Sequence, residues 1–258
     1  MPSILLQIQN NVATLTLNRP EKFNSFNQQM AFLLQQYLDD CATNDEVHCI
    51  VITGAGKAFC AGQDIEELTG ENALGLDKIL SEHYNPIVTR IRNMGKIIIA
   101  AVNGVAAGAG ANIALCCDVV LAADVASFIQ AFSKIGLIPD SGGTYFLPRL
   151  IGFAKASALM ITGDKITATE AEKMGMVYKV LPTENFINQV MAQAETIAQL
   201  PTQGLAFSKA ALNQTFTNTL QQQLHLEDEL QQQAANTIDY KEGITAFLEK
   251  RNPIFIGK

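Results

Sequence analysis

The sequence predicts an α/β core followed by a helical C-terminal segment. Three observations carry this. Apolar or alternating strand-like stretches and helix-period stretches take turns through the first ~180 residues. Hydrophobic residues make up 48% of the chain and charged residues 17%, which excludes general disorder. After Pro201 the strand formers thin out and the pattern stays helical to about residue 251. At 258 residues, folding hides roughly 70–75% of the unfolded chain's surface, enough for one large core.

The elements follow in order. Residues 4–8 and 12–17 alternate apolar and polar side chains around Asn10-Asn11, the pattern of a β-hairpin. Met30, Leu33, Leu34, Tyr37, Leu38 and Cys41 fall at helical spacing within residues 27–42. Cys49 to Ile52 is a short buried strand that stops at Thr53-Gly54. Residues 78–93 read as a helix that Pro86 should kink or divide. Ile97 to Val102 is a strand buried on both faces, residues 108–116 turn into a helix, and Asp118 to Ala122 is the next strand. Residues 220–234 form a Gln-rich amphipathic helix. Leu220, Leu224 and Leu226, then Ile244, Phe247 and Leu248, give the tail two apolar stripes. A division into residues 1–195 and 196–258 follows.

The net charge of −7 and a pI near 5.0 argue against a nucleic-acid partner, since phosphate neutralisation needs a basic surface. They leave room for one small basic site facing a phosphorylated ligand. Cys41, Cys49, Cys60, Cys116 and Cys117 are an odd set without CxxC spacing, so neither a disulfide framework nor a structural zinc site is expected. No apolar run approaches the ~20 residues that span a bilayer, and MPSILLQIQNN is not a signal peptide. Reduced thiols without a targeting segment predict the cytoplasm and no membrane partner.

Several catalytic motifs fail. Gly56-Lys57 is followed by Ala58, which breaks a phosphate loop, and Gly54-Ala-Gly56 and Gly108-Ala-Gly110 lack the third glycine of a dinucleotide fingerprint. There is no GxSxG elbow. His48, His83 and His225 sit beside no Gly-rich turn, which disfavours a Ser-His-Asp triad or a histidine metal site. What remains are three small-residue turns, each expected to follow a strand: GAGKAFCAGQD from Gly54 to Asp64, NGVAAGAGAN from Asn103 to Asn112, and GLIPDSGGT from Gly136 to Thr144. Small residues allow close backbone approach and leave amide N–H groups accessible. Two such turns converging can stabilise charge on a carbonyl oxygen. The third carries a carboxylate, Asp140, which could serve either as a base or as a helix N-cap before Ser141-Gly142.

At these residues the sequence resembles the crotonase, or enoyl-CoA hydratase/isomerase, superfamily. The likeness runs from about residue 3 to 257 through LTLNRPEKFNSFN, GKAFCAGQDI, AAVNGVAAGAGANIALCCDVVLAA, GLIPDSGGTYFLPRLIG, ITGDKITATEAEKMGMVYKV and KEGITAFLEKRNPIFIGK. It implies a spiral of ββα repeats in which the C-terminal segment assembles trimers or dimers of trimers. The implied substrate is an acyl-CoA thioester, with coenzyme A part of the substrate and no separate cofactor or metal. Two backbone N–H groups hold the thioester oxygen, by position those of Ala61 and Ala109. Gly62, Gln63, Asp64 and Ile65 resemble the segment lining the adenine and pantetheine sites. Lys22 and Phe23, with Phe247 and Lys250 in the tail, are implied contacts to the CoA adenosine and phosphates; Gly108, Asn112 and Phe132 complete the implied substrate site.

The departures from the family pattern concern the reaction. Hydratases of the family carry two glutamates, at the positions of Asn112 and Phe132 here. Neither residue can activate or protonate a water. The carboxylate present is Asp140, where isomerase members carry an acidic residue. A single carboxylate suits an allylic proton shift, and an apolar setting from Phe132, Leu137 and Ile138 would raise its pKa toward the working range. Within the family the motif combination is most similar to members that rearrange a ring epoxide to an oxepin thioester and shift double bonds from the 3,4 to the 2,3 position, in phenylacetate breakdown or fatty-acid-type oxidation. The competing readings are a hydratase or hydrolase of acyl-CoA, a catalytically silent acyl-CoA-binding protein, and an enzyme using Cys60 as nucleophile.

Overall fold

The computed structural model describes residues 1–69 and 73–258. β1 (Ile4–Gln9) and β2 (Val12–Leu17) form the expected hairpin, paired from Ile4–Leu17 to Gln9–Val12. Asn10 and Asn11 take φ of 51° and 62°, the left-handed pair a two-residue hairpin turn requires. α1 (Gln28–Thr43) starts where the Asn27 side chain accepts the Met30 N–H, and it buries the stripe Met30, Leu34, Leu38 and Cys41. β3 (Cys49–Gly54) is buried throughout, and β4 (Ala58–Cys60) follows after one turn.

The next helix is divided, as Pro86 predicts. α2 (Leu76–Lys78) passes into a π-helical stretch, Ile79–Tyr84, and then into α3 (Asn85–Asn93). Pro86 has no N–H for the Glu82 carbonyl one turn back; the Gln35 side chain of α1 donates to that carbonyl instead, at 2.7 Å.

β5 (Ile97–Val102), β6 (Val105–Ala107) and α4 (Ala109–Leu115) form the next repeat, then β7 (Val119–Ala123), β8 (Ser127–Ile129) and a 3-10 turn, Ala131–Ile135. α5 (Gly143–Ile151), α6 (Phe153–Thr162), β9 (Lys165–Thr167), α7 (Ala168–Lys173), β10 (Lys179–Leu181) and α8 (Phe186–Ala198) complete the core. β1-β2-β3-β5-β7-β10 is a six-stranded sheet, parallel from β2 onward; β4-β6-β8-β9 is a second, four-stranded sheet. Each turn of the chain thus lays one long strand in the first sheet and one short strand in the second. β4, β6 and β8 run parallel as neighbours, so their carboxyl ends lie side by side.

Two expectations change. The first and second small-residue turns contain β4 and β6, and the third follows the 3-10 turn Ala131–Ile135 rather than a strand. The division at 195/196 falls inside α8; the chain leaves the core at Pro201, where α9 (Thr202–Gln214) begins. α10 (Leu220–Ala235) and α11 (Ile238–Glu249) follow. The last residues fold back on α11, where the buried Asp239 carboxylate accepts the Ile256 and Gly257 N–H groups at 2.8 and 2.9 Å. α9 is fixed to the core by a buried lysine: the Lys209 ammonium reaches Asp118 at 2.8 Å and the Ile91 carbonyl at 2.7 Å. Among the described residues no helix is long and apolar enough to cross a membrane.

Candidate active site

The carboxyl ends of β4 and β6 open into a cavity of about 430 Å³. It is lined by Ala61 to Glu66 and Gly108-Ala109, by Ala131, Phe132, Ile135, Leu137 and Asp140, and by Leu68, Leu76, Ile79 and Tyr84. Lys22 and Ser25 stand on its edge. Cavities of about 520 and 530 Å³ lie among α5, α9 and α10, but none of the three small-residue turns reaches them.

The backbone donors are set by strand pairing. Phe26 bridges Gln63 in parallel: the Phe26 N–H donates to the Gly62 carbonyl at 2.7 Å and the Asp64 N–H to the Phe26 carbonyl at 2.8 Å. In such a bridge the N–H of the middle residue points to the opposite edge. For Gln63 that edge is the β6 side, where a Cβ on Gly62 would lie 3.5 Å from the Ala109 nitrogen. Neither the Gln63 nor the Ala109 N–H has a partner among the described residues; Ala109 opens α4, where the first donors have no carbonyl behind them. The Ala61 N–H, expected to be a donor to substrate, is instead committed to the Phe23 carbonyl at 3.0 Å. The pair facing the cavity is therefore Gln63 and Ala109. α4 comes this close to β4 because residue 110 is glycine: a Cβ there would lie 2.6 Å from the Cys60 sulfur.

Asp140 lies between Pro139 and two residues in the left-handed region, Ser141 (φ 50°) and Gly142 (φ 75°). It does not cap α5, whose N-cap is Gly142. Its carbonyl accepts the Gly143 N–H at 2.8 Å and the Asn112 amide at 2.9 Å, while its carboxylate accepts the Ser141 hydroxyl at 2.8 Å. Burial pushes the Asp140 carboxyl above the usual carboxylate range, opposed by the Ser141 hydroxyl and its own backbone N–H. Three carboxylates line the cavity. Asp64 is paired with Arg19 at 2.8 Å and Glu66 with Lys22, which leaves Asp140 without a cation among the described residues. Burial pushes Asp64 up, but Arg19 and the Glu66 N–H outweigh it and hold the group below its ordinary value.

Several expected residues land elsewhere. Asn112 is fully buried behind Asp140 and does not line the cavity. Phe23 is 56% exposed and meets the site only through its carbonyl. Phe247, at 81% exposure, and Lys250, the left-handed cap of α11, do not reach the cavity of their own chain. Ile138 is 81% exposed, so Phe132 and Leu137 supply the apolar wall without it. Cys60 is sealed off, its thiol pushed up to about 12 by burial, which removes it as a nucleophile. Arg19 and Tyr84 were missed. Arg19 ties the early loop to Asp64; the buried Tyr84 hydroxyl donates to the Gln63 side chain at 2.9 Å. The signal for Tyr84 was Pro86, which marks where the helix is interrupted.

A family profile for enoyl-CoA hydratase/isomerase matches residues 7–258. The chain is also 45% identical to the 1,2-epoxyphenylacetyl-CoA isomerase of Escherichia coli (strain K12), with 100% of both chains covered. The chain belongs to the enoyl-CoA hydratase/isomerase family. A probable enoyl-CoA hydratase of Rhodobacter capsulatus is 42% identical over 99% of this chain and 98% of its own. The crystal structure of a putative enoyl-CoA hydratase/isomerase from Mycobacterium abscessus superposes with a TM-score of 0.92 at 32% identity, covering 99% of this chain and 100% of that one. The two interleaved sheets are therefore the crotonase spiral, and an acyl-CoA is the substrate consistent with this family.

Proposed function

We propose that the chain is an acyl-CoA isomerase that moves a double bond through a thioester enolate. The observation that carries this is Asp140, a carboxylate without a cation among the described residues, sharing a cavity with the Gln63 and Ala109 backbone N–H groups, which have no partner among those residues. Adding water to a double bond asks for two groups that manage protons on the water and the carbon. Here the two positions where family hydratases carry glutamate hold Asn112, buried behind the wall, and Phe132.

In the proposed reaction a 3-enoyl-CoA places its thioester oxygen against the Gln63 and Ala109 N–H groups. Asp140 takes a proton from C2, and the electrons of that C–H bond delocalise into the carbonyl, giving a dienolate held by the two donors. The same carboxylic acid returns the proton to C4, and the carbonyl reforms as the 2-enoyl product. A donor of this kind is worth about 3–4 kcal/mol of barrier. The raised pKa of Asp140 brings it closer to the working pH as a base. Rearrangement of a ring epoxide to an oxepin needs the same enolate, and the 45% identity to the 1,2-epoxyphenylacetyl-CoA isomerase of Escherichia coli supports that substrate class. The CoA moiety is proposed to run along Gly62 to Ile65, past Lys22 and Ser25. A further part of the reading is that α9 to α11 assemble copies of the chain.

The test is a parallel assay. With a 3-enoyl-CoA the 2-enoyl product should accumulate without water uptake. Hydration of a 2-enoyl-CoA at a comparable rate would overturn the isomerase reading, and CoA binding without turnover of either would make the protein a binding module.

A further inference from the structure

Behind the cavity wall lies a chain of amides that the reaction above does not use. Gln130, 2% exposed, donates its side-chain N–H to the Asn112 Oδ1 at 2.8 Å, and Asn112, 0% exposed, donates its own to the Asp140 carbonyl at 2.9 Å. The two bonds fix each other's direction, because the Asn112 nitrogen must face a carbonyl, which leaves its oxygen for Gln130. Gly143 closes the arrangement from the other side: a Cβ there would overlap the Asn112 amide, and its N–H is the second donor to the Asp140 carbonyl. The Asp140 peptide is thus held by two donors from different elements, α4 and the start of α5.

Two features of this bracket cost stability rather than add to it. The Gln130 Oε1 is buried without a hydrogen-bond partner among the described residues, which costs free energy that an apolar side chain would avoid. Ser141, directly after Asp140, is a buried non-glycine residue at φ 50°. Strain of this kind persists where the surroundings over-determine the backbone. Both costs fall on the residues that aim one carboxylate.

We propose that Asn112, held by Gln130, is a positioning residue that fixes the Asp140 peptide and so directs the carboxylate at the substrate. The inference rests on the proton-shuttle reading of Asp140. At the position where a hydratase would hold an acid, this chain uses an amide to aim the acid it has. Because the shuttle must reach two carbons of the substrate, its direction matters at both proton transfers, and a small misplacement costs turnover before it costs affinity.

The experiment measures kcat, KM and thermal midpoint for Asn112→Leu, Gln130→Leu and the double variant, with a 3-enoyl-CoA as substrate. Leucine keeps the shape of asparagine and removes both hydrogen bonds. Asn112→Leu should lower kcat by about 10- to 100-fold and leave KM within about threefold. Gln130→Leu should lower kcat less. The double variant should melt closer to the parent than Asn112→Leu does, since both buried polar partners are gone, yet keep the low kcat of Asn112→Leu. A kcat within about threefold of the parent in Asn112→Leu, or a double variant that regains both stability and kcat, would overturn the positioning role. If Asn112→Leu does not fold, Gln130→Leu decides: a lowered kcat at unchanged KM supports the proposal and an unchanged kcat overturns it. Asp140→Asn in the same assay separates the two levels. If it stays active, the shuttle reading itself fails; if it is dead while Asn112→Leu is normal, the bracket alone fails.

Discussion

Asp140 combines three properties in one side chain: it is partly buried, it has no cation partner among the described residues, and it faces apolar wall residues. Replacing it by asparagine keeps the shape and removes the base, so isomerisation should be abolished while acyl-CoA affinity stays within a few-fold. Turnover within tenfold of the parent would show that another group moves the proton. The pH dependence follows from the direction of its shift. The reaction needs the carboxylate, so kcat/KM should fall as the pH drops through a pKa above the ordinary value near 4. Ser141 donates to the charged form and opposes the rise, so Ser141→Ala should move this acidic limb to higher pH. A limb that stays put would mean that another group sets it. Asp140 stood out as the carboxylate of the third turn, with the family resemblance favouring base over cap, and the same resemblance pointed to Ala109; both line the cavity. The other donor was not legible. Whether the N–H of Ala61 or of Gln63 faces the cavity depends on a bridge to Phe26, more than thirty residues earlier, and side-chain types do not report that pairing.

At the scale of elements, long strands and amphipathic helices were readable, whereas the second sheet was not. β4, β6 and β8 have three residues each, too few to show a period, and they lie inside stretches rich in glycine and alanine that read as turns. The same small residues explain why they serve as they do. α4 is buried along its whole length, and its first N–H reaches the cavity only because its neighbours are small. Ala109→Val should therefore crowd the start of α4 and push the thioester oxygen away from the donor. A fall in kcat of about 10²-fold or more is expected, as for the loss of one oxyanion donor. A normal kcat in a folded valine variant would remove Ala109 from the site. The π-helical stretch ending at Tyr84 is a second example: Pro86 announced a break, but not that the break would turn a tyrosine toward Gln63.

Over the whole molecule, the C-terminal helices raise two questions, how they attach and what they cover. Attachment rests on Lys209, whose charge is held inside by Asp118 and two carbonyls while burial pulls its pKa down. Lys209→Met would leave Asp118 with Arg92 as its cation among the described residues, beside the Ile98 N–H, and a loss of about 3 kcal/mol in unfolding free energy is expected by denaturant titration; an unchanged midpoint would place the anchor elsewhere. The sequence foretold the helices and their apolar stripes, but not which face the core would take. Leu220, Leu224, Ile244, Phe247 and Leu248 remain between 47% and 81% exposed, and α10 buries none of its residues. Large exposed apolar side chains in this number are a liability on a monomer, one that self-association would remove. Arg251 is held by Glu242 and Glu249, whereas Phe247 and Lys250, which the family resemblance assigns to CoA contacts, are exposed. The family resemblance implies a trimer or a dimer of trimers, so a particle of about 84 kDa or about 167 kDa is expected from the 27.9 kDa chain, with these two residues meeting a neighbour's CoA site. Light scattering coupled to gel filtration measures this, and an active particle of about 28 kDa would remove both the assembly and the shared site. Charge reversal at Lys250 separates the two: Lys250→Glu should weaken CoA affinity without changing the particle mass, because the side chain is exposed at the helix end rather than within the apolar stripe.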